Sequence, residues 1–496
     1  MTAIVLTMRA PGWVRRVADV AVQITGDTSG LPSYADAELY DLSTITDEVD
    51  VLSVDRSDFA SIRVRFALRA DESGAVLEAL SQYLSAAVAD VDIYDPATDW
   101  DTRRRCISMG IVSGLKLDDE GMVVEASVEA SNPAAGQSIG DADRTMGDRY
   151  PTVGFPSLAG KQWPVLVGVG HAIPGYKLGL VTGSYPGLGL TGHHIADTSQ
   201  VPVFYIDGVA HTPTGPISIV NTTDADGFPL AYILGDTTDF FYTAGSFSVD
   251  LPGGGVGTGS AAIKGGEVVR WILAASGVAI DWARCASALA ALDSYQITLY
   301  LDSEVGALDV LRQRVLKQLP IIEETGPAGL WLRLADWRSQ PVVSHLEEGA
   351  SLMGFTGPLT QETDPDDIRN RLTANYAYSA ASQDYASFAV VDRQSHPGCA
   401  TSHTLYGERA DETIDLDMVW DTATASRILA IRADRLALPR FTRAAILDAS
   451  MDTLSAGDLV TITAASAGWT RRKCLIRRIE LTSAGDIPAI IEPLPR

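Results

Sequence analysis

Leu454-Ser455-Ala456-Gly457-Asp458-Leu459-Val460-Thr461-Ile462 reads as a tight turn feeding a strand. Ser, Gly and Asp supply the turn, and the strand entry is expected to depend on Gly457: if its φ is positive, a side chain there would be strained. Leu459 to Thr463 is then apolar and β-branched, as a strand prefers. Working outward, Ala444 to Leu447, Lys473 to Leu481 and Ile487 to Ile491 repeat the pattern, so the tail from Phe441 to Pro493 is all strand. Just before it, Thr422 opens a helix with Ile428, Leu429, Ile431 and Leu436 apolar, and Pro439 ends it. Several short strands with one associated helix predict a small β-barrel at this end of the chain.

The other end has the same ingredients in a different order. Ala3-Ile4-Val5-Leu6 is a short apolar run, and Ile62, Val64, Phe66 and Leu68 alternate with Arg63, Arg65 and Ala67 as in a half-buried strand. The period then changes. Val76, Leu77, Leu80, Tyr83, Leu84, Ala87 and Val88 follow helical spacing and predict an amphipathic helix from Ser73 to Ala89. Strands return at Val91 to Tyr94, Cys106 to Val112 and Met122 to Val128, with a polar hairpin tip at Asp118-Asp119-Glu120-Gly121.

Between the ends lie two dissimilar blocks. Residues 131–150 read as a linker. Residues 151–260 hold 20 of the 44 glycines, which predicts short strands and long loops, clearest at Val201 to Gly208, with a flexible connector at Leu251 to Ser260. Residues 261–345 form an α/β pattern. A helix from Glu267 to Ser276 is stopped by Gly277. A second, marked by Trp282, Cys285, Leu289 and Leu292, is capped by Asp281. Gln296 to Leu301 is a strand, Ser303 caps a third helix that Pro320 ends, and a hairpin turns across Gly326 to Gly329. Residues 346–419 read as β and loop. The fold class is therefore mixed α+β and multidomain: an N-terminal β-barrel-like domain with one helix over 1–135, a Gly-rich β/loop insertion over 136–260, an α/β domain over 261–345, and a β segment, helix and C-terminal β-barrel over 346–496.

At 496 residues the chain has room for about three to four domains of roughly 150 residues each. It carries 38 basic and 63 acidic residues, a net −25, which argues against general nucleic-acid binding. The charge is uneven. Residues 425–496 carry 11 Lys/Arg and 7 Asp/Glu, a net +4, which leaves −29 for the first 424. That asymmetry fits either a soluble acidic protein or a self-complementary assembly in which the basic end meets an acidic neighbour. No apolar run reaches the roughly 18 residues that span a bilayer, and Met1 to Pro11 lacks the apolar region of a secretory signal.

Little in the sequence reads as catalytic, and no catalytic, metal or cofactor residue is assigned. Cys106, Cys285, Cys399 and Cys474 are far apart and form no CxxC. His193 and His194 are adjacent and so point apart, and His345 with Glu347 and Glu348 reads as a loop, not a ligand set. Gly154-Phe155-Pro156-Ser157-Leu158-Ala159-Gly160-Lys161-Gln162 misses a phosphate loop by one residue and has Gln where Ser or Thr must hold Mg²⁺. Gly257 to Lys264 lacks the glycine before its lysine. Asp364-Pro365-Asp366-Asp367 reads as a solvated turn before a helix or strand. Arg103-Arg104-Arg105 and Arg471-Arg472-Lys473 each precede a strand, and would either grip an acidic partner or blunt an exposed sheet edge.

The order of these features resembles the tail hub, or baseplate hub, proteins of tailed bacteriophages, a family related to the central hub of contractile tails and to hubs of siphophages, tailocins and gene transfer agents. Four stretches carry the likeness. They are Tyr83 to Val128, with Val91-Asp92-Ile93-Tyr94 and Met109-Gly110-Ile111-Val112-Ser113-Gly114; Val165 to Gly170 followed by Val203 to Val209; Val268 to Trp337; and Asp367 to Tyr378 with the helix ending at Leu438-Pro439 and the turn Leu454 to Ile462. The resemblance implies a homotrimer in which two similar barrels per chain make a pseudo-sixfold ring. Such a ring joins the sixfold tail tube to threefold tip parts and lets DNA pass without specific binding. Its implied partners are distal tail and tube proteins, tail fibre or tip proteins and the tape measure protein. Its place is the virion tail tip or baseplate, after assembly in the host cytoplasm. The iron–sulfur cluster of some siphophage hubs is not carried over, because the cysteines here are scattered. Acidic residues of the first 424 are expected to line the ring's channel. Two other readings are a distal tail ring protein, whose typical chain has one barrel, and an envelope-degrading peptidoglycan or glycan hydrolase, which needs a paired-carboxylate, Cys/His or zinc site.

Overall fold

The structure is a computed structural model. It describes residues 264–326, 329–481 and 486–495 and, before them, segments 3–10, 13–19, 21–35, 37, 39–42, 45–49, 56–57, 62–67, 88–94, 96–102, 105–117, 123–128, 137–140, 160–182, 185–191, 198, 203–207, 209–212, 217–223, 229–234 and 247–254. The protein is mixed α+β and strand-rich.

Near the N-terminus seven strands form an antiparallel sheet in the order Trp13–Ala18, Ala3–Ala10, Val88–Tyr94, Arg105–Leu117, Val123–Val128, Ile62–Ala67, Leu39–Leu42. The apolar run at Ala3 is buried on both faces. Ala3 and Val5 pack with Tyr94 and Trp100, whereas Ile4, Leu6 and Met8 enter a different core. The predicted Ser73–Ala89 helix lies outside the described residues except at Val88 and Ala89, which already belong to the strand Val88–Tyr94. The hairpin tip at 118–121 also lies outside them.

The C-terminal sheet runs Ser344–Glu347, Leu459–Ala464, Trp469–Leu481, Ile487–Pro493, Phe441–Leu447, Leu352–Phe355. Its first pair is parallel and the others antiparallel. The two ends of the chain meet here. Ile45–Val49 pairs with the end of Trp469–Leu481, Ile45 opposite Leu481 and Glu48 opposite Arg478. Ile4, Leu6, Met8, Val17 and Val91 share one apolar core with Leu447, Val460, Ile462, Ile476 and Ile491.

The Gly-rich block departs from the expected short strands. Val165–Thr182 is one strand of 18 residues. It pairs in turn with Leu299–Leu301, with Phe247–Gly254 and with Tyr185–Thr191, changing register four times. Bulges let a long strand bend between sheets, and glycine supplies the backbone angles. Gly168 has φ +99°, and a Cβ there would stand 2.5 Å from the Ile297 carbonyl oxygen. The turn after Val203–Ile206 is present, with Asp207 at φ 49°. Of the expected connector at Leu251 to Ser260, Leu251 to Gly254 instead ends the strand Phe247–Gly254, and the rest lies outside the described residues.

In the α/β unit Gly265–Ala275 and Trp282–Leu292 are helices, the second capped by Asp281, whose Oδ1 accepts the Arg284 N–H at 3.1 Å. Ile321–Gly326 and Gly329–Leu334 form the expected hairpin. Four local readings change here and beside it. The third helix starts after Gly306, not Ser303, because Val305–Gly306 is held as a strand against Ser138–Ile139. That pairing also makes part of the expected 131–150 linker a strand, with Ile139 buried. The strand expected from Gln296 begins at Leu299, since Ile297 bridges to Val419. Within 346–419, Pro397–Tyr406 is helical, with His396 at its cap.

The Thr422–Leu436 helix is capped by Asp421, which accepts from Ala423 N–H and Thr424 N–H at 2.9 and 3.0 Å. Its Ile428 and Leu429 pack in the core of the α/β unit, with Leu372 and Val391 from the strands Arg371–Ser379 and Asp384–Val391. Apolar packing among the described residues thus runs continuously from the 261–345 segment into 372–437.

The turn that opens the C-terminal strand joins these parts. Gly457 has φ +88°. Its N–H donates to the Ile476 carbonyl at 2.7 Å, and its carbonyl accepts from Gln340 Nε2 at 2.9 Å. Beside it Asp458 accepts from the Ser455 N–H at 2.7 Å and from Arg333 Nη1, on the central hairpin, at 2.8 Å. Gly457→Val forces a β-branched residue into left-handed backbone, so it should cost at least ~1 kcal/mol. A denaturant midpoint equal to wild type would show that the turn accepts a side chain.

Candidate functional site

A pair of deeply buried charged side chains lies where the Thr422–Leu436 helix crosses the last strand. Both Glu492 oxygens accept from Arg435, Nη1 at 2.8 Å and Nη2 at 3.2 Å, and Oε2 also accepts from Arg477 Nη1 at 2.9 Å. The side chains of Arg435 and Glu492 are 4% and 3% exposed. Helical phase brings Arg435 here: seven residues after Ile428, it sits on the same side two turns on. Its guanidinium carbon lies 4.9 Å from the centre of the Trp337 ring. Burial is the main cause that pulls Arg435 down to about 10, with Glu492 opposing and Arg477 and Arg440 adding to the fall.

A second cluster is built on the preceding residue of the helix, Asp434. Asp434 Oδ1 meets His396 Nε2 at 3.0 Å and Arg338 Nη2 at 2.5 Å, and His396 Nδ1 accepts the Cys399 N–H at 3.4 Å. Both ring nitrogens of His396 are therefore engaged, one in capping a helix and one on a carboxylate, so the ring has no free nitrogen to act as a base. Cys399 is buried, and burial pushes its thiol up to about 11. Burial likewise raises Cys285, and raises Cys474 to about 12. These three thiols are free and protonated at neutral pH, the inert condition of a core cysteine.

A polar cleft of about 270 Å³ opens between the α/β unit and the turn after Arg371–Ser379, lined among others by Tyr300, Asp302, Arg314, Tyr385 and Asp417. Tyr300 is pushed well up by burial and by Tyr176, whose hydroxyl lies 3.3 Å away. Tyr385 is raised to about 12, by burial and then by Asp415 and Asp417. Both tyrosines keep their protons at neutral pH. Asp417 accepts from Gln318 Nε2, and Arg314 Nη1 lies 3.9 Å from its Oδ2. This arrangement can bind a ligand through hydrogen bonds. Sequence spacing could not reveal it, because Tyr300 and Asp302 stand more than 100 residues from Asp417 with no local motif at either place.

The residues singled out in the sequence are dispersed. His345 lies on the strand Ser344–Glu347, not in a loop, with Nδ1 2.9 Å from Thr461 Oγ1. Glu348 faces elsewhere and accepts the Ser466 N–H at 3.0 Å. Asp364 Oδ1 accepts the Asp366 N–H at 2.9 Å and caps the short 3₁₀ turn Pro365–Asp367, as a solvated turn should. Lys161 Nζ stands 4.5 Å above the Tyr176 ring, and Gln162 Oε1 accepts the Glu304 N–H at 2.7 Å, so neither is part of a phosphate cradle. Arg471-Arg472-Lys473 lies inside Trp469–Leu481 rather than before it, with Arg472 opposite Ile462. Arg105 begins Arg105–Leu117. His193, His194, Arg103, Arg104 and residues 154–159 and 257–263 lie outside the described residues. Among the described residues no group of three or more His, Cys, Asp or Glu could hold a metal ion, and no helix is long and apolar enough to cross a membrane.

No family model matches the chain, and no curated protein matches it. It is similar to a chain from the virion of a native gene transfer agent particle, at 14% sequence identity and a TM-score of 0.43, over 68% of this chain and 85% of that one.

Removing one partner from a buried ion pair leaves an uncompensated charge. Glu492→Gln should therefore lower the unfolding free energy by about 3–5 kcal/mol. Arg371→Gln, which breaks an ion pair with Glu408 that is 52% and 58% exposed, should change it by less than ~0.5 kcal/mol. Equal denaturation midpoints for the two variants would contradict this ordering.

Proposed function

We propose that this chain is a structural protein of a phage-like virion, forming a trimeric hub ring at the tail tip. The ring joins a sixfold tube to threefold tip parts. The order of sequence features supports this reading, and one structural observation carries it furthest. The sheets from the two ends of the chain lie against each other, share an apolar core and exchange a strand pairing at Ile45–Val49. Two adjacent β units per chain are what a trimer needs to present six similar positions around an axis. The distal ring reading, with one β unit per chain, has no counterpart for the second sheet.

The proposed role is mechanical, not catalytic. His396 is spent on a cap and a carboxylate, the described thiols are buried, and Asp417 is engaged by Gln318 and Arg314. A zymogram on cell-wall material should stay uncleared. Clearing by this chain, abolished by one substitution at Asp302 or Asp417, would turn the cleft into a hydrolase site.

The ring reading predicts three copies. Native mass of the assembled protein and cryo-imaging of particles should both show a threefold ring whose channel is lined by acidic side chains. An acidic wall repels the DNA phosphates and keeps the duplex off the surface. A stable monomer or a six-copy ring would overturn the trimer. A channel lined by Arg471, Arg472 and Lys473 would overturn the charge assignment alone.

A further inference from the structure

Arg440 follows Pro439 at the start of the C-terminal strands. Its backbone is fully used: the N–H donates to Thr363 Oγ1 at 3.0 Å and the carbonyl accepts the Glu362 N–H at 3.0 Å. Its side chain is not. Nε and Nη1 of Arg440 are buried and meet no acceptor among the described residues, and Nε of Arg435 is in the same condition. These two arginines together line two clefts, of about 260 and 370 Å³, on either side of them.

Most of the acceptor atoms nearby are already committed: Glu492 takes Arg435 and Arg477, Asp434 Oδ1 takes Arg338 and His396, and Glu362 accepts the Thr442 hydroxyl at 2.8 Å, while Asp434 Oδ2 is buried and meets no donor among the described residues. Arg435 and Arg477 thus share Glu492, and Arg440 lines both clefts with Arg435 without an ion pair of its own among the described residues. The charges of Arg477 and Arg440 both add to the fall of Arg435, so the two lie close enough to repel it. A buried, unpaired guanidinium is costly. Its planar fork of donors matches an oxyanion in charge and shape, which a neutral acceptor matches only in part.

We infer that Arg440 and Arg435 form a binding site for an oxyanion, a carboxylate or a phosphate, reached through these two clefts. Such an anion accepts from Nε and Nη1 of Arg440 and from Nε of Arg435, and it balances the excess positive charge left by Glu492. Two sources share this chemistry. One is an Asp or Glu side chain of a second copy of this acidic chain, which rests on the proposed assembly. The other is free phosphate, which does not.

The probe is inorganic phosphate, titrated into the full chain at constant ionic strength and followed by calorimetry and thermal melting. Wild type should bind saturably and melt at a higher temperature as phosphate rises. Arg440→Gln should weaken binding at least about tenfold. Arg440→Lys, which keeps the charge but loses the fork, should fall between them, and Arg371→Gln should bind as wild type. Absence of saturable binding to wild type, or undiminished binding to a folded Arg440→Gln or Arg440→Lys protein, would overturn the site. Self-association then identifies the source. If phosphate disperses the wild-type assembly and Arg440→Gln fails to assemble, the anion is a neighbour's carboxylate. If assembly ignores both while phosphate still binds, it is free phosphate. The proposed ring could fail on its own while the phosphate result stands.

Discussion

Leu6, Met8 and Val17 from the first strands and Val460, Ile462, Ile476 and Ile491 from the last are all buried in one core. Each sheet has a face that it cannot leave in water, and each supplies the cover for the other. At roughly 25 cal/mol per Å² of apolar surface, this shared burial outweighs any single polar contact at the junction. Beside this core Ile45–Val49 adds a strand to the edge of Trp469–Leu481, which ties the two ends through backbone pairing as well. The α/β unit is fastened to the same sheet through polar groups: Arg333 reaches Asp458 and the Ala456 carbonyl, and Gln340 reaches Gly457.

The charges at the helix crossing have a different role. Burying Arg435 and Glu492 gains little over an apolar pair of similar size. It also ties the helix to the last strand at a defined point, with the guanidinium on both carboxylate oxygens and over the Trp337 ring. Trp337 also packs with Leu459, Leu475 and Leu494, so the ring that receives the cation is itself part of the sheet's apolar packing.

What the sequence made legible was local. Asp281 as a cap, Gly277 and Pro320 as stops, the hairpin around Gly326 to Gly329 and the positive φ of Gly457 each depend on residues within a few positions of one another. The misreadings came from partners far away. Ser303 has the composition of a cap, but pairing of Val305–Gly306 with Ser138–Ile139 moves the helix start. The glycines of 151–260 suggested short strands, whereas in Val165–Thr182 they permit bulges in a long one. Neither the Arg435–Glu492–Arg477 cluster nor the Tyr300–Asp417 cleft has a motif. Each is assembled by tertiary contact from residue types that, one at a time, read as ordinary helix, strand or loop.

The pairing of the two chain ends also sets a schedule for synthesis. The strand Ala3–Ala10 leaves the ribosome early, but the residues that cover its Ile4, Leu6 and Met8 face come from Leu346 to Ile491, nearly the whole chain later. At about 5–20 residues per second, that interval is roughly half a minute to a minute and a half. Throughout it an apolar strand surface waits without its proper cover, next to identical nascent surfaces on the same message. Slow elongation, or crowding of many ribosomes on one transcript, favours pairing between copies before the chain can close on itself. The architecture that joins beginning to end in the finished molecule thus leaves the first strands exposed to mispairing until the last ones arrive.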